Sequence, residues 1–131
     1  MSGAKKRKKL ERYRLPPERK GITRKTTIGS KDVYWTPNEY DDGQLGEIFI
    51  SIGKEGSQLR VYDCIATMIS INLQYGIPLG ILIEKMRDQQ MEPSGITSDP
   101  DVPIAKSVMD YIGRKLDLMY DFNGYRRKGN K

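Results

Sequence analysis

Histidine is absent from these 131 residues, and cysteine occurs once, as Cys64. These two scarcities exclude much chemistry. No Ser–His or Cys–His pair can form, and no zinc site of the ordinary Cys/His type can be built. Carboxylates remain as the metal ligands. One thiol cannot close a disulfide within the chain, and a reducing cytoplasm is the simple expectation. Long apolar runs are lacking too. The most apolar stretch is broken by Asp63, Asn72 and Gln74, so no membrane span is expected. The basic N-terminus has no apolar segment behind it and does not read as a secretory signal.

Charge is what the chain has in quantity. Charged residues make up 31% and apolar residues 37%. That is enough for one modest core in one domain and leaves no room for a deep catalytic barrel. Residues 1–25 carry eleven Lys/Arg against Glu11 and Glu18. Residues 26–121 carry eight basic and fifteen acidic residues, and residues 122–131 add four basic ones. The pattern is an acidic body between two basic ends. Residues 1–14 read as a disordered basic arm, residues 15–120 as the folded domain and residues 121–131 as a basic polar tail. Leu15-Pro16-Pro17 favours extended backbone where the arm meets the domain.

Within the domain the spacing predicts strands at 22–28, 31–36 and 47–52. Pro37 is expected to stop the second or place it at an edge, and Asp41-Asp42-Gly43 to form a turn. Ile48, Ile50 and Ile52 share one strand face by period two. Helices are predicted over 57–75, over about 79–87, and from Asp99-Pro100-Asp101 to about Leu116. Gly76 suits the end of the first helix and Pro78 the start of the second. Residues 89–99 read as a loop. The first helix has two apolar surfaces. Leu59, Tyr62, Ala66, Ile69 and Leu73 can cover the sheet, whereas Val61, Ile65, Met68 and Ile71 still need cover. The fold class is α+β: a small antiparallel sheet of about three strands packed against about three helices. The second apolar surface and the sheet edges favour an oligomer or a partner over a lone monomer.

Several runs then resemble a known family. They are Arg14-Leu15-Pro16-Pro17-Glu18-Arg19, Ile22-Thr23-Arg24-Lys25, Gly46-Glu47-Ile48-Phe49-Ile50, Lys54-Glu55-Gly56-Ser57, Leu73-Gln74-Tyr75-Gly76, Glu92-Pro93-Ser94-Gly95 and Pro103-Ile104-Ala105-Lys106-Ser107. In this order they resemble the TSCPD domain, the C-terminal domain of adenosylcobalamin-dependent (class II) ribonucleotide reductases, over about residues 14–116. The resemblance implies a cytoplasmic accessory component of a ribonucleoside-diphosphate reductase, linked to deoxyribonucleotide synthesis and binding rather than catalysing. It implies adenosylcobalamin only through a reductase partner, with no cofactor held by this chain. Two departures stand out. The namesake Thr-Ser-Cys-Pro-Asp run is Thr97-Ser98-Asp99-Pro100-Asp101 here, and the cysteine-bearing tail of the family has no counterpart in residues 125–131.

The candidate sites each have a plainer reading. Gly53-Lys54-Glu55-Gly56-Ser57 could hold a phosphate or nucleotide at a helix N-terminus through Lys54, Gly56 and Ser57, with Lys106 as a further contact. It lacks the Walker A spacing and also reads as a tight turn, with Lys106 as a surface lysine. Lys5, Lys6, Arg7, Lys8, Lys9, Arg12 and Arg14 could track nucleic acid without sequence preference, with Tyr13 to stack, or serve as a solubilising tail. Glu39, Asp41 and Asp42 read better as turn residues than as a cation site. Cys64 is expected to be a small buried hydrophobe. The expected partners are a reductase catalytic subunit or a second copy of the chain. The alternative function is a free nucleotide- or nucleic-acid-binding module, or a self-assembling interaction protein. No catalytic residues, resident metal or membrane contact are expected.

Overall fold

Alternation of apolar and polar residues builds the sheet, and helical spacing supplies its cover. The computed structural model describes residues 9–53 and 56–120. Strands β1 (Arg24–Ile28), β2 (Lys31–Glu39) and β3 (Leu45–Ile52) precede helices α1 (Gly56–Gln74) and α2 (Leu79–Met86). A short ribbon of β4 (Gly95–Ile96) and β5 (Ile104–Ala105) then leads to α3 (Val108–Met119). The fold is α+β. β1, β2 and β3 form an antiparallel sheet in sequence order, with Arg24 opposite Trp35 and Trp35 opposite Ile50. Thr26, Ile28, Val33, Trp35, Ile48, Ile50 and Ile52 are buried. α1 packs along β3 and contributes Tyr62, Ala66, Ile69 and Leu73 to that core, while α2 packs on α3.

β2 runs through Pro37 instead of stopping there. Pro37 faces Ile48, whose own N–H and C=O turn away from β2 to the Ser70 hydroxyl. A residue at such a non-hydrogen-bonded position needs no donor toward β3, so proline costs the central strand nothing on that side. The end of α1 agrees with its sequence. Gly76 adopts φ 92°, and Ile77 N–H reaches Asn72 O while Gly76 N–H reaches Leu73 O. This crossed pattern needs a left-handed residue, which glycine adopts without strain.

The chain blocks much of its own sheet edge. On β3, Ser70 Oγ accepts from Ile48 N–H at 2.9 Å, and its one proton lies between Ala66 O at 2.8 Å and Ile48 O at 3.2 Å. Gln74 Nε2 donates to Gly46 O at 3.0 Å. On β1, residues 96–98 bridge the last residues: Gly29 N–H reaches Ile96 O, and Ser98 N–H reaches Thr27 O. Edge strands left open invite pairing with another chain, and these contacts remove that reason for self-association over the stretches they cover. Ser70→Ala should therefore cost about 1–3 kcal/mol, because the buried Ile48 N–H loses its acceptor. Urea denaturation measures the loss, and faster hydrogen exchange at Ile48 locates it. A change below about 0.5 kcal/mol would show that the edge is satisfied another way.

The expected third helix is corrected at its start. Helix does not begin at Asp99-Pro100-Asp101. Asp99 Oδ1 accepts Asp101 N–H at 3.0 Å, closing a local turn. Ser107 is the real cap, accepting Asp110 N–H at 2.9 Å. Ile104 lies in β5 opposite Ile96, so its apolar spacing to Val108 was strand followed by helix. The ribbon crosses the region expected to be loop.

Candidate functional site

The Thr97–Asp101 turn anchors a chain of polar contacts that runs from the surface into the core. Tyr111, projecting from α3, donates its hydroxyl to Asp99 Oδ2 at 2.6 Å and lies 3.0 Å from Thr26 Oγ1. Thr26 Oγ1 also accepts from Trp35 Nε1–H at 3.3 Å. Lys115, one turn beyond Tyr111 on α3, places Nζ 2.8 Å from Asp99 Oδ2 and 3.0 Å from Asp101 Oδ2. Burial by itself raises the Asp99 carboxyl, but donors from Lys115, Tyr111 and the Asp101 N–H outweigh it and hold Asp99 below the usual carboxylate value. Burial, then the hydrogen bond to Asp99, drives the Tyr111 phenol far above its ordinary value. Asp99 is thus a carboxylate clamped by donors, and Tyr111 a neutral donor. Neither is poised for proton transfer near neutral pH.

Arg24 stands over this network. Its guanidinium carbon is 5.4 Å from the centroid of the Trp35 ring, within cation–π range. Arg24, Trp35, Ser98, Asp99, Tyr111 and Lys115 all line one small hollow of about 240 Å³.

A second charged cluster joins α2 to α3. Asp110, 1% exposed, accepts Asp88 N–H at 2.6 Å, Lys106 N–H at 2.9 Å and Arg114 Nε–H at 2.9 Å. Lys106 is one of the residues expected to meet a phosphate. Its ammonium lies 3.1 Å from Asp88 Oδ1, which Arg114 also reaches at 2.8 Å. The structure therefore gives Lys106 a protein partner at the α2–α3 junction. Gly56 and Ser57 form the first turn of α1. Lys54, Lys5, Lys6, Arg7 and Lys8 lie outside the described residues. Of the remaining basic positions, Lys9 and Arg14 are exposed. Arg12 donates Nε–H to Gln74 Oε1 at 2.7 Å, and the next residue, Tyr13, donates its N–H to Gln74 O at 2.8 Å. The arm is tied to the end of α1 at that point.

Cys64 is exposed, which corrects the expectation of a buried thiol. α1 turns Tyr62 and Ala66 to the core, and Cys64, midway between them, faces away. It joins Val61, 49% exposed, and Met68, 59% exposed, in an apolar stripe with half-buried Ile65. Around the Asp42 turn, Asp42 Oδ1 accepts Gln44 N–H, and Glu39 Oε2 accepts from the Tyr120 hydroxyl. Those carboxylates have protein partners, and among the described residues no group of three or more metal-ligating side chains gathers.

The sequence profile of the TSCPD domain matches residues 8–120. The chain is 44% identical over 108 residues to a vitamin B12-dependent ribonucleotide reductase of Streptantibioticus cattleyicolor, covering 82% of this chain and 18% of that protein. It is 42% identical over 113 residues to the protein of the same name from Rhodopirellula baltica, covering 86% and 11%. With that of Agrobacterium fabrum it is 40% identical over 112 residues, covering 84% and 9%. The chain thus spans less than a fifth of the length of these curated relatives. No solved structure matches at a significant level. No described helix is long and apolar enough to cross a membrane.

Proposed function

The chain belongs to the TSCPD domain family, and from that membership we propose that it serves a vitamin B12-dependent ribonucleotide reductase as an accessory component that binds rather than catalyses. One observation carries this reading. Relatives bearing that name match nearly the whole folded body at 40–44% identity. The hollow lined by Thr23, Tyr34, Phe49 and Arg60 has about 700 Å³ and opens on the surface. In this proposal adenosylcobalamin is held by the reductase partner.

The α1 stripe of Val61, Cys64, Ile65 and Met68 is the docking seam in this proposal. In each relative the matched segment is a minor part of a much longer chain, so a large catalytic body is available to lie against it. The stripe is apolar, and interfaces of this kind exclude water from a few anchoring side chains. The acidic body and the basic arm then set orientation more than affinity.

The test uses a B12-dependent reductase from which the matching segment has been deleted, mixed with this chain. Calorimetry should show a one-to-one complex, and Met68→Glu should weaken it at least tenfold without changing the far-ultraviolet circular dichroism. No association by the unmodified chain, or binding by Met68→Glu and Val61→Glu as tight as that of the unmodified chain, would reject the docking seam. Light scattering of the chain alone separates the rival reading, since a dimer dissolved by Met68→Glu assigns the stripe to self-association. The nucleotide reading would need shifts at Gly56 and Ser57 on titration with a nucleotide.

A further inference from the structure

We propose that the hollow between β1 and the Thr97–Asp101 turn binds a tetrahedral oxyanion, a phosphate or phosphate-ester group, with Arg24 as its principal ligand. This is independent of the reductase reading. Arg24 sits opposite Trp35 at the start of β1, and the indole under its guanidinium is fixed by the hydrogen bond to Thr26. The Arg24 Nε–H is buried and has no acceptor among the described residues. No carboxylate there lies within ion-pair reach of its guanidinium. A buried donor without an acceptor is uncommon, and a missing water or ion is a standard explanation.

The groups around Arg24 favour an anion. Every other strong acceptor in the hollow is already occupied. Asp99 Oδ2 takes Tyr111 and Lys115, and Asp99 Oδ1 takes Asp101 N–H. Donors are left over. Ser98 Oγ accepts Thr27 N–H at 2.9 Å, which leaves its own O–H free to donate. A guanidinium fork and a hydroxyl thus face one hollow of about 240 Å³. That volume accepts a phosphate group. The planar fork of arginine matches two oxygens of such a group, and the hydroxyl can take another. Because Arg24 is already stacked on a fixed ring, little side-chain freedom remains to be lost on binding.

Inorganic phosphate titrated into the isotopically labelled full chain is the test, read from the arginine Nε–Hε resonances. The Arg24 signal should move and saturate. Arg24→Gln should weaken binding at least tenfold. Arg24→Lys keeps the charge over Trp35 and guards against a folding artefact, and it should weaken binding less while leaving the circular dichroism unchanged. Acetate, which offers two oxygens, should compete poorly. An unmoved Arg24 signal while lysine signals of the basic arm shift would overturn the proposal. Arg24→Gln binding phosphate as tightly as the unmodified chain, or acetate binding as tightly as phosphate, would do the same.

Discussion

Asp110→Ala should lower the stability of the domain by about 3–5 kcal/mol, the range for breaking a buried ion pair from one side. The residue is 1% exposed and joins three segments. Its Oδ1 takes Asp88 N–H at the end of α2 and Arg114 Nε–H on α3, and its Oδ2 takes Lys106 N–H before the helix cap. Asp88 has φ 65°, left-handed backbone that a non-glycine residue keeps only where neighbours hold it. Alanine would leave two N–H groups and a half-buried guanidinium without this acceptor. Asp110→Asn keeps an oxygen and should cost less, about 1–3 kcal/mol. Domains of this kind have about 5–15 kcal/mol in all, so the alanine variant should unfold at much lower urea, followed by Trp35 fluorescence. The pH dependence has a definite sign. Burial raises the Asp110 carboxyl, but Lys106 N–H, Asp88 N–H and Arg114 outweigh it, so its folded value lies below the unfolded 3.8. A depressed carboxylate stabilises fully above the unfolded value and loses that contribution as pH falls through the folded one. Asp99 acts in the same direction. The unmodified chain should therefore lose stability below about pH 4, and Asp110→Ala should show a shallower fall. A loss under about 1 kcal/mol in the alanine variant would mean that Asp110 does not hold this junction.

The strongly periodic parts of this fold were legible in the sequence. Ile48, Ile50 and Ile52 fixed the buried face of β3, and Tyr62, Ala66, Ile69 and Leu73 fixed the buried side of α1, because period and burial agree there. What the sequence hid depends on contacts distant along the chain. Pro37 argued against a central strand by local rules, and the pairing register, which sets it opposite Ile48 and past the end of the β1 pairing, is what makes its position tolerable. The start of α3 was misplaced because Asp99 and Asp101 are good capping types. Their carboxylates are instead used by Asp101 N–H, Tyr111 and Lys115, and only the fold brings Tyr111 and Lys115 to that turn. Lys106 was singled out as a possible phosphate contact without any sign of Asp88, eighteen residues earlier. Arg24 stands in one of the runs that carry the resemblance, but nothing in that run marks it as a site. The one signal for it was the pairing of an arginine with the lone tryptophan across a predicted hairpin, and that needs the register of β1 on β2.

Trp35→Ala is the other large expected loss, about 3–5 kcal/mol. Trp35 is 1% exposed at the centre of β2, between Arg24 on β1 and Ile50 on β3. Its ring meets Tyr111 edge-on, with centroids 6.0 Å apart and planes at 78°, a favourable aromatic geometry. Alanine would open a cavity between sheet and α3, remove the donor to Thr26 and strip Arg24 of its platform. Trp35→Phe keeps a ring and loses only the indole N–H and some volume, so about 1–3 kcal/mol is expected. Trp35 is the sole tryptophan, so unfolding of these variants must be followed by circular dichroism in urea. The informative control is Tyr34→Ala. Tyr34 is the adjacent residue on the same strand, and its side chain lies on the other face, 43% exposed. Surface substitutions usually stay within about 0.5 kcal/mol, and the partial burial of Tyr34 should add only modestly to that. A loss at Tyr34 equal to that at Trp35 would mean that the helices cover the opposite face of the sheet, and it would move the network of Thr26, Tyr111 and Asp99 out of the core with it.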